Sequence, residues 1–338
     1  MVSMKAVAAK CNVSIATVSK ALSNGTHKDI SDETRERIRL VANELGYYPN
    51  QAARTLKTNR SNNLGVLFTD AAYSGLTHDF FAPILDSFKN EAESRGYDIT
   101  FLSRNQNLGS SSYVERCRQR SIDGVIIACI DFNQKAVIEL LNSDIPVVTI
   151  DYVTNNCSSI VSDNQKGLTD LCEYVISKGH KKIAYIYGDE DSAVTKIRLA
   201  SFFRTLEKHG ISIPEEYVRS GRYLGLKEAS EQTNILLDLH EPPTCILYPD
   251  DTALFGGINT ITERGLKIGE DISIAGFDGL KMASVVTPKL TTVYQNTTEI
   301  GKKAADKLID QIENPKTTVI EHLVVETELV SGESVCDI

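Results

Sequence analysis

Two patterns of apolar and polar positions divide the chain. Up to about residue 46, apolar residues recur three and four apart in short bursts between polar turns; beyond Asn63 they form short continuous runs separated by amphipathic stretches. The early bursts predict short helices. Ser3 can cap one through Lys10, with Val7 and Ala8 facing inward, and Asn12-Val13 makes a turn. Ser14 opens a second helix to about Leu22, and Ser31 a third in which Ile38, Val41, Ala42 and Leu45 keep helical spacing until Gly46 stops it. Two short helices across a tight turn, braced by a third, form the helix-turn-helix layout. Residues 47–63 are polar and basic and read as a linker with one helix-capable stretch, residues 50–57, opened by Pro49-Asn50.

From residue 64 to 338 the pattern predicts an α/β body. Leu64–Phe68, Asp98–Leu102, Gly124–Cys129 and Pro146–Ile150 read as strands, with helices near Phe81–Ser94, Ser111–Arg120 and Gln134–Asn142. A second series has strands at Lys182–Tyr187, Cys245–Tyr248 and Ile272–Phe277, and helices at Gln165–Lys178, Lys196–His209, Gly225–Leu239 and Thr252–Arg264. Continuous apolar strands alternating with helices predict doubly wound parallel sheets covered on both faces, here in two lobes. The expected division is an N-lobe of about 64–160 and 293–322 and a C-lobe of about 161–292 and 323–338. Ligands of such sheets bind at the carboxyl ends of the strands, which between two lobes means the cleft.

Charge sharpens the division. The whole chain carries −9, yet residues 1–60 hold ten Lys or Arg against five Asp or Glu. A basic head on an acidic body is the asymmetry of a small nucleic-acid-binding module joined to something else. Seven scattered cysteines without a Cys-x-x-Cys pair predict reduced thiols in a cytosolic protein rather than disulfides or zinc. The first residues lack the apolar core of a signal peptide, and no apolar run reaches the roughly 20 residues that span a bilayer, so a soluble chain with no membrane partner is expected.

No phosphate-binding glycine loop, zinc spacing, His-Glu-x-x-His or Gly-x-Ser-x-Gly occurs, so neither an enzyme nor a cofactor is expected. The second helix says more. With Val13, Val18, Ala21 and Leu22 facing the head's core, Ser14, Ile15, Ala16, Thr17, Ser19 and Lys20 are left outward, where small polar groups and a lysine can approach phosphates and base edges. A plain solvated face reads equally well from this segment alone.

Val13-Ser14-x-Ala16-Thr17-Val18-Ser19, Ser31-x-x-Thr34-Arg35-x-x-Ile38, Leu45-Gly46-Tyr47-x-Pro49-Asn50 and Ala53-Arg54-x-Leu56 follow one another, and the body continues with Asp123-Gly124-Val125-Ile126-Ile127, Val161-x-Asp163-Asn164-x-x-Gly167, Gly276-Phe277-Asp278 and Leu290-Thr291-Thr292-Val293-x-Gln295. In order and spacing the whole chain resembles the LacI/GalR family of transcriptional regulators, a helix-turn-helix head on a periplasmic-binding-protein-like sensor. The resemblance implies a homodimer binding near-palindromic double-stranded DNA, with affinity switched by a small sugar or sugar derivative. Ser14–Lys20 would enter the major groove, with Ile15, Ala16 and Lys20 choosing the sequence. Residues 50–57 would be a hinge helix that presses Leu56 between base pairs in the minor groove. Asn50 opens that helix, Ala53 stands beside Leu56, and Arg54 and Lys57 lie near phosphates.

The same resemblance places Asp151, Asp163, Arg198, Asp278 and Gln295 in the effector cleft, donors and acceptors suited to a polyol or an anionic sugar. Three departures stand out. Lysine occupies position 20, where the family commonly has arginine and its rigid fork. Asp250-Asp251 replaces an Asn-Asp pair, turning an amide into an acceptor. The stretch Ala71–Asp79 is longer than usual, so that Phe80, expected against the ligand, could give way to Tyr73 or His78. A secreted solute-binding protein would share the body but leave the basic head unexplained; a sugar-processing enzyme would need a catalytic constellation.

Overall fold

The computed structural model describes residues 2–22, 29–48, 60–69, 75–102 and 112–338, so the expected hinge positions Asn50, Ala53, Arg54, Leu56 and Lys57, and Tyr73, lie outside the described residues. The chain forms two compact units, Met1–Ser61 and Asn62–Ile338.

In the head, α1 (Met4–Cys11), α2 (Ile15–Ala21) and α3 (Asp32–Glu44) close on one core of Val7, Ala8, Cys11, Val18, Ala21, Ile30, Ile38, Ala42 and Tyr47. Ser14 and Ser31 each start a helix with the side-chain oxygen accepting from the backbone N–H three residues on, at 3.0 and 3.3 Å. Ser3 occupies the first cap position without such a bond. Gly46, at φ 65°, ends α3 in the left-handed region that costs glycine nothing.

In the body, β1 (Asn63–Phe68), β2 (Asp98–Phe101), β3 (Gly124–Ala128), β4 (Val147–Ile150), β5 (Ser158–Ser162) and β11 (His322–Val325) form one parallel sheet in the order β11-β5-β4-β3-β1-β2. One face packs on α4 (Phe81–Ser94) and α11 (Thr297–Glu313), the other on α5 (Tyr113–Gln119) and α6 (Lys135–Leu141). The second sheet, β7-β6-β8-β9, is also parallel and comprises β6 (Ile183–Tyr187), β7 (Val218–Ser220), β8 (Cys245–Leu247) and β9 (Ser273–Ala275). It lies between α7 (Asn164–Ser177) with α8 (Ala193–Lys208) and α9 (Leu226–Leu237) with α10 (Asp251–Glu263). Both faces of each sheet are thus covered, which is why the central strands β3, β6 and β8 read as unbroken apolar runs. None of the seven cysteines is in a disulfide.

The lobe boundaries differ from those expected. β5 and β11 belong wholly to the first sheet, so the chain crosses at Ser162–Asp163 and after Val325 rather than at 160 and 322. β10 (Thr292–Gln295) and β12 (Thr327–Val330), expected in opposite lobes, pair antiparallel as one ribbon. The crossings are tied to each other: Asp163 N donates to Val325 O at 2.9 Å, and Thr327 Oγ1 to Asp163 O at 3.2 Å. Gly167 on α7 is required here, since a Cβ would stand 2.8 Å from Thr327 Oγ1 and 2.9 Å from Phe277 Cζ.

Candidate functional site

Two surfaces carry the chemistry. On α2, burial of Val18 and Ala21 turns Ile15, Ala16 and Lys20 outward, with Ile15 49% exposed and Thr17 and Ser19 half-buried. An isoleucine held in water on a helix otherwise lined by small polar groups has no packing reason. Three expected contacts have structural partners. Ser14 Oγ caps α2 and lies 2.8 Å from Thr17 Oγ1, so these hydroxyls serve each other. Lys20 is ion-paired with Asp29.

The second surface surrounds Arg198, on α8. The side chain is 3% exposed; Nε donates to Asn164 Oδ1 and one Nη to Pro249 O, both at 2.8 Å, while its carbon lies 3.5 Å from the centre of the Phe277 ring. These contacts fix the guanidinium plane. Asp151 at the end of β4, Asp250 before α10 and Asp278 after β9 all feel its positive charge, so acids of both lobes lie in the field of one cation. Burial pushes the Asp151 carboxyl up to about 6, against the opposing pull of the Ser162 N–H and Arg198. Burial likewise lifts Asp250 to about 6, with the Ala253 and Leu224 N–H groups and Arg198 opposing. Asp278 is raised well above the usual range, first by burial and then by Asp250, with Arg198 and Gln295 working against both. Its backbone sits at φ 103°, a region few non-glycine residues adopt, held by bonds from Asp278 N to Val293 O and from Gln295 N to Asp278 O.

Several expected contacts are placed differently. Asp250 is 1% exposed, and both its oxygens accept backbone N–H groups, Ala253 at 2.7 Å and Leu224 at 2.8 Å; it caps α10 and braces the preceding loop rather than offering a free acceptor. Asp251 is equally committed, to Thr292 Oγ1 at 2.6 Å and Leu280 N at 2.8 Å. Asp163 caps α7 by accepting from Lys166 N at 2.9 Å. Gln295, 2% exposed, donates to Asp278 Oδ1 at 2.7 Å, which makes it the acid's support. Phe80 is buried in the N-lobe core, its ring edge-on to Phe81 at 5.0 Å between centroids; Phe81 stays half-buried beside Phe68 and His78. Asp79 of the long loop accepts from Thr252 Oγ1 at 3.3 Å, joining the lobes directly.

Other members carried little or no sequence signal. Tyr223 lies with its ring 5.9 Å from Arg198 and its hydroxyl 2.9 Å from Thr195 Oγ1, and Gly188 exists to admit it, since a Cβ there would be 2.4 Å from the ring. Asn164 and Phe277 stand within recognised motifs but gain their role, holding Arg198, only in three dimensions. Among the described residues, Ser162 Oγ and Gln295 Oε1 are buried without a hydrogen-bond partner, beside Asp151 and Asp278. Hydroxyl-bearing ligands fit such a lining: carboxylates accept their hydrogens and a fixed guanidinium donates to their oxygens.

Comparison with known proteins decides the class. Residues 3–50 match the helix-turn-helix of bacterial regulatory proteins of the lacI family, and residues 172–335 match a periplasmic binding protein-like domain. A protein of Bacillus subtilis strain 168, described as a probable HTH-type transcriptional repressor, ExuR, is 31% identical over 338 residues, 99% of this chain and 98% of its own. The chain belongs to the LacI family. This LacI-family regulator is a helix-turn-helix DNA-binding protein, and its relatives are repressors, not enzymes. Its fold is that of the lac repressor dimer crystallised with operator and the anti-inducer ONPF, with a TM-score of 0.81, 24% identity and 99% of each chain covered. It is also that of a regulator, CelR, in complex with cellobiose, at a TM-score of 0.70 and 23% identity, covering 99% of this chain and all of the other. Among the described residues no helix is long and apolar enough to cross a membrane.

Proposed function

We propose that this LacI-family regulator is a cytoplasmic homodimeric repressor of carbohydrate-utilisation genes, released from or fixed on a near-palindromic operator by a sugar or sugar derivative bound between its lobes. The observation that carries the reading is a guanidinium held rigid by Asn164, Pro249 and Phe277, in whose field lie Asp151 from one lobe and Asp278 from the other. A ligand bridging these groups binds open and closed lobes with different affinity, which is the condition for shifting a two-state equilibrium. The lobes join through tied strands rather than a loose linker, so their reorientation would be a concerted motion about Ser162–Asp163, Gln295 and Val325–Thr327. In the head, Ile15, Ala16 and Lys20 are the side chains offered to base edges, while Ser14, Thr17 and Ser19 serve phosphate or cap duties. In the cleft, Arg198, Asp151, Asp278 and Tyr223 are the contacts, with Asp163, Asp250 and Gln295 supporting them.

The test selects duplexes from a randomised pool with the full-length chain and then titrates neutral sugars and sugar acids against the selected duplex. A near-palindromic consensus, and at least one sugar that changes its affinity tenfold or more, is the expected result. Failure to enrich any sequence across salt concentrations would overturn the reading of the head. Enrichment that no sugar alters would overturn that of the cleft.

A further inference from the structure

We infer that Asp29 is a specificity-determining residue of the DNA-reading face, acting through Lys20; the inference rests on α2 being the helix that meets DNA. Lys20 lies in the last turn of α2, and its ammonium is ion-paired with the Asp29 carboxylate, which belongs to the approach to α3. Asp29 is not free to drift. Ile30 beside it is buried in the head core, and Ser31 next to that is locked as the α3 cap. The carboxylate is therefore fixed relative to the helix whose lysine it engages.

Both side chains are about half exposed. Such a pair adds little to stability, so its consequence lies in where charge sits. Lysine is a point charge on a flexible stem, able to swing to any nearby phosphate. The carboxylate of Asp29 offsets its charge at contact distance, and a phosphate approaching it must also approach an anion. A guanine edge differs: O6 and N7 are neutral acceptors, and an ammonium has three hydrogens, so Lys20 can donate to the base while keeping its bond to Asp29. The pair thus penalises backbone contact more than base contact. Asp29 lowers affinity for arbitrary DNA and holds the lysine in the pose from which it reads, supplying part of the constraint that arginine's fork would have provided.

The experiment uses the full-length chain, a duplex selected from a randomised pool, and an unrelated duplex of equal length, with affinities measured across salt. Asp29→Asn is expected to tighten binding to the unrelated duplex three- to tenfold and to steepen its logarithmic salt slope by about one, because a released lysine neutralises one more phosphate. Affinity for the selected duplex should stay within about threefold, so the specificity ratio falls. In a Lys20→Met background Asp29→Asn should change neither quantity. An unchanged ratio and slope in Asp29→Asn would overturn the inference, as would the same tightening in the Lys20→Met chain, which would make Asp29 a general repeller of phosphate. A merely structural role would move the thermal midpoint instead, which is expected to stay constant. If the unmutated chain enriches no duplex, the underlying reading of α2 fails instead.

Discussion

On α2 the recognising groups stand in water: Ile15, Ala16 and Lys20 are exposed, and the helix is held by Val18 and Ala21 behind them. In the cleft the reverse holds. Arg198 is almost wholly buried, and Asp151, Asp250 and Asp278 are raised chiefly by their own desolvation. The difference teaches where each surface stores its cost. A solvated face keeps its groups in water until DNA displaces it, so substitutions there change recognition and leave folding intact. A cleft with one cation among several acids is strained before any ligand arrives, so substitutions there change stability and recognition together.

The sharpest break of this contrast is Arg198→Ala. Removing the cation leaves Asp151, Asp250 and Asp278 without their common counter-charge and deprives Asn164 Oδ1 and Pro249 O of a donor. The expected loss is about 3–5 kcal/mol at neutral pH, the usual cost of orphaning a buried partner. Urea unfolding of the full chain measures it. A loss below about 1 kcal/mol would show that the cleft is as solvated as α2.

Asp278→Asn should act in the opposite sense. A carboxyl whose folded value is raised binds a proton in the native state that the unfolded chain has already released. Stability is therefore highest below the unfolded value near 3.8 and falls as pH rises through the folded values, about 6 for Asp151 and Asp250 and about 7 for Asp251. A rise of two pH units in one carboxyl corresponds to about 3 kcal/mol, and coupling among neighbours makes their sum smaller. Asparagine keeps an acceptor for Gln295 and removes one charge. It should stabilise the ligand-free chain by about 1–2 kcal/mol at pH 7.5 and by almost nothing near pH 4, while weakening effector binding. Thermal midpoints between pH 4 and 8 that fall equally in both proteins would place the titration elsewhere.

The same contrast explains what the sequence made legible. The head was readable almost residue by residue, since Ser14, Ser31 and Gly46 act on their own helices and Val18 and Ile38 on a core built from near neighbours. The apolar strands of both lobes were equally plain. The crossings were not: β5 reads Ser-Ser-Ile-Val-Ser and looks like loop, and β10, β11 and β12 acquire meaning only when residues far apart in the chain pair. Helix α11 did carry a visible period, Ile300, Ala304, Leu308 and Ile312, but no strand alternation around it suggested an element there. In the cleft, Arg198 was legible as a type of residue, whereas Tyr223 was not, because its place depends on Gly188 across a loop. Asp250 was ambiguous for a physical reason: an acid before a helix reads equally as ligand contact and as cap, and only the structure shows its bonds to Ala253 N and Leu224 N.

Ser14 poses that ambiguity on the exposed side, with the smallest expected effect. Its oxygen accepts from Thr17 N at 3.0 Å, so Ser14→Ala should cost the head about 1 kcal/mol through the lost cap. Ser31→Ala removes the matching cap of α3 and should cost a similar amount. Asparagine caps as well as serine, so Ser14→Asn should recover the stability. Affinity for a selected duplex then separates the two roles. If Ser14 serves DNA only by ordering α2, Ser14→Asn restores affinity along with the thermal midpoint, and Ser14→Ala and Ser31→Ala weaken binding alike. If the hydroxyl touches a phosphate or base, Ser14→Asn folds normally and still binds poorly, while Ser31→Ala binds better than Ser14→Ala at equal stability. In the second case recognition and folding share one side chain on α2 as they do in the cleft, and the line between the two surfaces would fall at Ile15 rather than at Ser14.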